Sequence, residues 1–237
     1  TQYKPAYKKG VMPEPYYDAN DGHPAYLLLN DGTGRFVDGT AAAGLTRKRH
    51  RRTYSTSFVD LDNDHDLDLL VVSDFAGMDL YLNDGTGKFT DLTEASGLAV
   101  KRKRRTYASS LVDLDDDGDL DLAVTADFAG LDLYANDGMG HFRDMTAKWA
   151  PQRHGFGMSH VFGDLNRDGR QDLYFVGMSS TTARRLDRLG ITRAGFQEYS
   201  RMRAPMTFGN RLLFGQPEGG FRPSVCRRRQ KGSRRKQ

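Results

Sequence analysis

The chain has 237 residues, 38% of them apolar, with 26 glycines and a formal net charge of +4. That length can bury about 70% of the unfolded surface as one domain. No apolar run approaches the ~18 residues of a membrane-spanning helix, and the single cysteine, Cys226, excludes an internal disulfide. The seven cations between Arg227 and Lys236 outweigh the entire net charge, so the body before them is slightly acidic and is no polycation.

Residues 1–24 carry no strand pattern and read as an N-terminal segment. From Ala25 to Asp38 two short strands flank an NDGTG turn at Asn30, half of a repeating unit over residues 25–39. The turn recurs at Asn83 and Asn136, every 53 residues, and the segments from Asn30 and Asn83 are near copies. Ahead of the first full unit stands a basic run of Arg47, Lys48, Arg49, Arg51 and Arg52. YSTSFVDL from Tyr54, LDLLVV from Leu67, MDLYLN from Met78 and FTDLT after NDGTGKF then read as four strands, the last pair a hairpin. Four short antiparallel strands per unit fit a propeller blade. A phosphate-binding glycine loop is excluded because a strand, not a helix, follows each NDG. Phe36, Phe89 and Phe142 recur with the repeat and are expected to pack between units.

A second basic run, Lys101, Arg102, Lys103, Arg104 and Arg105, precedes the second unit. The complete units span residues 53–93, 106–146 and 157–224, and the third is interrupted by an insertion at 178–208. There Ser180 or Thr181 is expected to cap a short helix that carries Leu186 and Leu189 on one face and stops at Gly190. Residues 225–237 form a basic tail of disordered composition.

Between the first and second strand of each unit lies an acidic loop: DLDNDHDLD from Asp60, DLDDDGDLD from Asp113 and DLNRDGRQD from Asp164. Positions 1, 3, 5 and 9 are Asp60, Asp62, Asp64 and Asp68, then Asp113, Asp115, Asp117 and Asp121, then Asp164, Asn166, Asp168 and Asp172. At ~4 Å each like-charge pair costs about 4 kcal/mol at an effective dielectric near 20, so the pattern calls for a cation. A hard ion that takes six to eight oxygens in flexible geometry fits, and calcium is that ion. Position 7 is expected to offer only its backbone oxygen, consistent with the free choice of Asp66, Asp119 and Arg170 there. Position 6 needs a left-handed backbone. Gly118 and Gly169 suit it, whereas His65 predicts strain, so the middle loop is expected to bind tightest. An EF-hand would need a Glu at position 12, where Val71, Val124 and Phe175 stand instead.

FVDLDNDHDLDLLVVSDF with LYLNDGTGKFTDLTEASGL, LVDLDDDGDLDLAVTADF with LYANDGMGHFRDMT, and VFGDLNRDGRQDLYFVG resemble the FG-GAP or VCBS repeats, blades also found in the head of integrin α subunits. The resemblance implies an all-β propeller of four-stranded antiparallel blades with calcium, about three ions here, in the loop after each blade's first strand. Three and a half blades are fewer than the four to eight of closed propellers, so the propeller is expected to be incomplete in this chain. Thr1 in place of an initiating Met is read as truncation or processing. Loops of this kind bind calcium on the order of 10⁻⁴ to 10⁻³ M in extracellular modules, which predicts an extracellular, cell-surface or periplasmic location although no signal peptide is present.

No catalytic residue is expected. The histidines at 23, 50, 65, 141, 154 and 160 lack metal-site spacing, no GxSxG is present, and Ser159 and His160 are neighbours on a strand and so face opposite ways. The expected function is a non-enzymatic calcium-binding module for adhesion, with a protein or glycan on a propeller face. The alternative is an accessory or partial catalytic propeller of a polysaccharide lyase or hydrolase. The two basic runs offer an anion-binding strip for a polyanion, or merely balance the neighbouring acidic loops.

Overall fold

Alternating apolar and polar residues with turn residues between them produce short antiparallel strands throughout. The computed structural model describes residues 13, 15–192, 194–195, 202–203 and 205–224. The basic tail and Cys226 lie outside the described residues. Strands β1 (Leu28–Asn30) and β2 (Phe36–Asp38) form a two-stranded sheet. Three four-stranded sheets follow in simple meander order. The first blade is β3 (Arg52–Val59), β4 (Asp68–Asp74), β5 (Gly77–Asn83) and β6 (Phe89–Asp91). The second is β7 (Arg105–Val112), β8 (Asp121–Asp127), β9 (Gly130–Asn136) and β10 (Phe142–Asp144), and it leads into a short helix α1 (Thr146–Trp149). The third is β11 (Phe156–Gly163), β12 (Asp172–Met178), β13 (Arg211–Gly215) and β14 (Phe221–Pro223). Each first strand carries one bulge, at Thr53/Ser55, Thr106/Ala108 and Gly157/Ser159. The fold is an all-β, incomplete propeller, and among the described residues no sheet closes the array.

The cores lie between blades. Leu61, Leu70, Val72, Met78 and Leu80 of the first blade meet Leu122, Val124, Tyr134 and Phe142 of the second. Leu131 and Leu133 then meet Trp149, Leu173, Phe175, Leu213 and Phe221. Fully burying such a side chain is worth about 1.5–3 kcal/mol, so each blade is stabilised by its successor. The second loop position shows this: Leu61 is 1% exposed beneath the second blade, whereas Leu165, with no described blade beyond it, is 61% exposed. The expectation that Phe36, Phe89 and Phe142 all pack between blades is corrected at one end. Phe142 is buried against the first blade, Phe89 is half-buried, and Phe36 is exposed, with no sheet among the described residues before its own.

Short connections join the blades through ion pairs that repeat with the sequence. Lys48 reaches Asp79 at 2.7 Å and Asp91 at 2.8 Å, and Lys101 reaches Asp132 at 2.5 Å and Asp144 at 2.9 Å. Arg51 binds Asp79 at 3.0 Å, and Arg104 approaches Asp132 at 3.6 Å. Arg52 pairs with Asp21 of the N-terminal segment at 2.8 Å, and Arg105 bridges Asp74 of the preceding blade at 3.2 Å and Asp127 of its own at 2.9 Å. Gly130 is obligatory here: its φ is +81°, and a Cβ on it would sit 1.9 Å from the Arg153 carbonyl oxygen of the following connection.

In the insertion, α2 (Thr181–Arg188) is capped by the Ser180 hydroxyl, which accepts from the Ala183 N–H, and Gly190 follows with φ +61°. The chemistry of the cap and the stop is what the sequence offered. Among the described residues no helix is long and apolar enough to cross a membrane.

Asp132 is buried and shared by Lys101, Arg104 and Arg153. Removing one partner of a buried ionic cluster leaves charge uncompensated, so Asp132→Ala is expected to cost about 3–5 kcal/mol in urea unfolding. A loss below about 1 kcal/mol would mean that these pairs are peripheral.

Candidate metal centres

The three acidic loops repeat one set of hydrogen bonds. The position 9 carboxylates, Asp68, Asp121 and Asp172, open the second strand of each blade and are fully buried. Their Oδ2 atoms accept the N–H of position 2, from Leu61 at 2.9 Å, Leu114 at 2.8 Å and Leu165 at 3.0 Å. Their Oδ1 atoms accept the N–H that ends the third strand, from Asn83 at 3.0 Å, Asn136 at 2.9 Å and Gly215 at 3.0 Å. Position 1 accepts from position 6: His65 donates to Asp60 at 3.1 Å, Gly118 to Asp113 at 3.0 Å and Gly169 to Asp164 at 2.9 Å. Position 5 accepts from position 7, where Asp66, Asp119 and Arg170 donate to Asp64, Asp117 and Asp168, each at 3.0 Å. Position 6 is left-handed in all three, with φ of 75° at His65, 95° at Gly118 and 85° at Gly169. Position 4 is left-handed too, at Asn63, Asp116 and Arg167, a requirement the sequence reading missed.

This backbone scaffold turns carboxylates toward one another. One oxygen from each of Asp60, Asp62 and Asp68 lies within a 4.8 Å span, and so does one from each of Asp113, Asp115 and Asp117. In the first loop Asp60 Oδ1, Asp62 Oδ1 and Asp66 Oδ1 are buried with no hydrogen-bond partner. Burial, followed by the nearby Asp64 and Asp60 charges, raises the Asp62 carboxyl, and burial with Asp117 and Asp113 raises Asp115. Burial raises Asp121 to about 6 against two backbone N–H groups that pull it down, and it raises Asp68 as well. Orphaned buried oxygens and crowded carboxyls are what a hard divalent cation would satisfy, so the first two loops fit calcium.

The third loop is chemically different. Asn166 replaces the position 3 carboxylate and donates to Asp168 at 3.1 Å, and the Arg170 guanidinium lies 3.5 Å from the same group. The Arg170 N–H, then Asn166 and the Arg170 charge, hold Asp168 below the ordinary range. Among the described residues this loop gathers no trio of carboxylates like the other two.

The loops also touch across blades. Asn63 donates through Nδ2 to Asp119 at 2.8 Å and to the Gly138 carbonyl at 3.2 Å, and Asn136 donates to the Leu61 carbonyl at 3.0 Å. Asn136 was legible only as a turn residue. Its repetition at Asn30 and Asn83 was the signal for a further role. Elsewhere, Ser159 is exposed while His160 is buried, with its Nδ1 2.7 Å from the Thr125 hydroxyl, so the two do not form a nucleophile and base. In the basic runs Lys48, Arg51, Arg52, Lys101, Arg102, Arg104 and Arg105 are engaged with carboxylates, Arg49 lies over the Tyr26 ring and Lys103 over Tyr17. Arg47 is exposed, and its carbonyl accepts from Asn20.

A carboxyl raised in the folded state favours folding when protonated, a contribution complete below the ordinary value near 3.9 and lost as pH rises through the folded value. For Asp121 that window closes at about 6. Calcium would compete with protons for the Asp62 and Asp115 carboxyls, which sit in the gathered trios and which burial and neighbouring charges also raise, so the rise in melting temperature on adding calcium is expected to be larger at pH 7.5 than at pH 5. His160, lowered to about 4 by burial, acts with and without calcium and cancels in that difference. Equal rises at the two pH values would contradict the assignment.

No curated protein matches the chain. The FG-GAP-like repeat model matches three times, over residues 17–71, 60–124 and 113–175, and each match ends in the strand that follows an acidic loop. Together the matches cover more than half of the sequence, and the chain belongs to the FG-GAP-like repeat family.

Proposed function

We propose that the chain is a non-enzymatic, calcium-stabilised propeller module that works outside the cell as a binding or adhesion unit. The observation that carries this reading is the first loop, where the oxygens of Asp60, Asp62 and Asp68 converge and three carboxylate oxygens of Asp60, Asp62 and Asp66 are buried without partners. Calcium would supply the positive charge that these oxygens lack. The chain's own residues do the rest. Asp68 and Asp121 pin the bend to the third strand, the left-handed residues at positions 4 and 6 aim the carboxylates inward, and Asn63 and Asn136 tie the loop to the next blade. Filling the loop then stiffens the junction between blades, which suits a module whose faces present a protein or glycan ligand.

Ligand linkage contributes about 2.7 kcal/mol at a hundredfold excess over the dissociation constant. For a chain of this size that is a rise of about 5–10 °C in melting temperature with calcium, compared with magnesium or chelator. Asp62→Ala removes both a ligand and a source of repulsion, so the two conditions move oppositely: melting is unchanged or raised in chelator and lowered in calcium. Asp168→Ala is expected to change the calcium increment less. A variant at Asp62 that melts lower by the same amount in both conditions would make the loop a purely structural bend.

A further inference from the structure

The turn between the second and third strands occurs twice with the same residues, Asp74-Phe75-Ala76-Gly77 and Asp127-Phe128-Ala129-Gly130, and in both the phenylalanine is left-handed, with φ of 62° and 63°. Their surroundings differ. Phe75 is 3% exposed and Phe128 is 59% exposed. Phe75 is covered on one side by Arg105, whose guanidinium lies 4.7 Å from the ring centroid, and on another by an irregular segment of the chain itself, residues 15–21. That segment docks by three devices. The Tyr16 ring meets Phe75 edge-on at 5.0 Å, the Asp18 and Ala19 N–H groups donate to the Phe75 carbonyl at 2.7 and 3.3 Å, and the Asp18 carboxylate pairs with Arg51 at 2.6 Å.

The second turn keeps the receiving parts. Arg104 stands one repeat after Arg51 and approaches Asp132 as Arg51 approaches Asp79. Arg51 is almost wholly buried beneath Asp18 and the Ala19 carbonyl, while Arg104 is 31% exposed. The charges differ in the direction that calls for an acid. Around Arg51 the cations Lys48 and Arg51 meet three carboxylates, Asp18, Asp79 and Asp91. Around Arg104 the cations Lys101, Arg104 and Arg153 meet two, Asp132 and Asp144. The exposed Phe128 ring meets Phe156 edge-on at 5.1 Å.

We infer that the Phe128 turn with Arg104 is a docking site for an extended peptide of a partner protein, one that carries an aromatic residue and, two positions later, a carboxylate. The chain's own Tyr16-Tyr17-Asp18 shows that chemistry on the equivalent turn. The aromatic would lie on Phe128, the carboxylate on Arg104, and a backbone N–H on the Phe128 carbonyl. The inference does not depend on calcium, which need only be present to keep the fold.

The probe is a fluorescent peptide with the sequence of residues 15–21, titrated with the full chain in calcium and followed by anisotropy. Saturable binding is expected, weakened at least tenfold by Phe128→Ala, by Arg104→Gln in the protein, and by Asn in place of the peptide's aspartate. Circular dichroism of both protein variants checks that they fold; if Arg104→Gln does not, Phe128→Ala and the peptide variant still decide, because Phe128 is exposed. Absence of saturable binding, or binding that Phe128→Ala leaves unchanged, overturns the site. Binding lost in Phe75→Ala but kept in Phe128→Ala would mean that the peptide only displaces the chain's own segment, and it overturns the proposal equally. Concentration-dependent dimers of the chain that Phe128→Ala abolishes would assign the turn to a second copy and overturn the partner reading.

Discussion

A buried carboxylate opens the second strand of every blade and accepts backbone N–H groups from two directions, one from the acidic loop and one from the end of the third strand. The carboxylates themselves are fully buried, and an unpaired buried polar group costs about 1–3 kcal/mol, so both bonds stabilise the bend. Asp68, Asp121 and Asp172 therefore fix the position of the bend before any ion arrives. Within that bend one oxygen from each of Asp60, Asp62 and Asp68, and one from each of Asp113, Asp115 and Asp117, comes within 4.8 Å of the others. The third loop keeps these bonds with Asn166 at position 3 and gathers no such trio, so the crowding in the first two loops needs both the shared bend and a carboxylate at position 3, and the demand for a cation follows from the crowding.

The same economy joins the blades. A blade's open face is apolar and is buried by its successor, while the connection leading into each blade threads cations onto Asp79 and Asp132 inside the sheet. Tyr81 and Tyr134 lie beside those cations, with Lys48 at 5.9 Å and Lys101 at 5.0 Å from the ring centroids. Basic runs that look like a surface feature in the sequence are thus largely part of the joint. The departures from the repeat are as informative as the repeat. The third loop supplies its own amide and guanidinium, and Gly215 takes the place held by Asn83 and Asn136.

What the sequence made legible was what short-range spacing determines. The strands, the left-handed sixth position and the helix between Ser180 and Gly190 depend on residues close together in the chain, and the 53-residue period is carried by copies of those short patterns. What it hid was set by partners far along the chain. Asp79 reads as one polar residue of a strand until Lys48 and Arg51, 31 and 28 residues earlier, are found on it. Asn63 reads as a filler between ligands until its amide meets Asp119 in the next blade. Phe75 and Phe128 stand in the same four-residue turn, and what separates their burial is the segment and the Arg105 guanidinium that lie over Phe75.

The central claim is that divalent cations sit among the aspartates of the first two bends. Crystals grown in millimolar calcium and measured for anomalous scattering test it most directly. The account predicts peaks about 2.3–2.6 Å from the oxygens of Asp60, Asp62 and Asp68 and from those of Asp113, Asp115 and Asp117. Ordered loops with the same hydrogen bonds but only water among those carboxylates would contradict it.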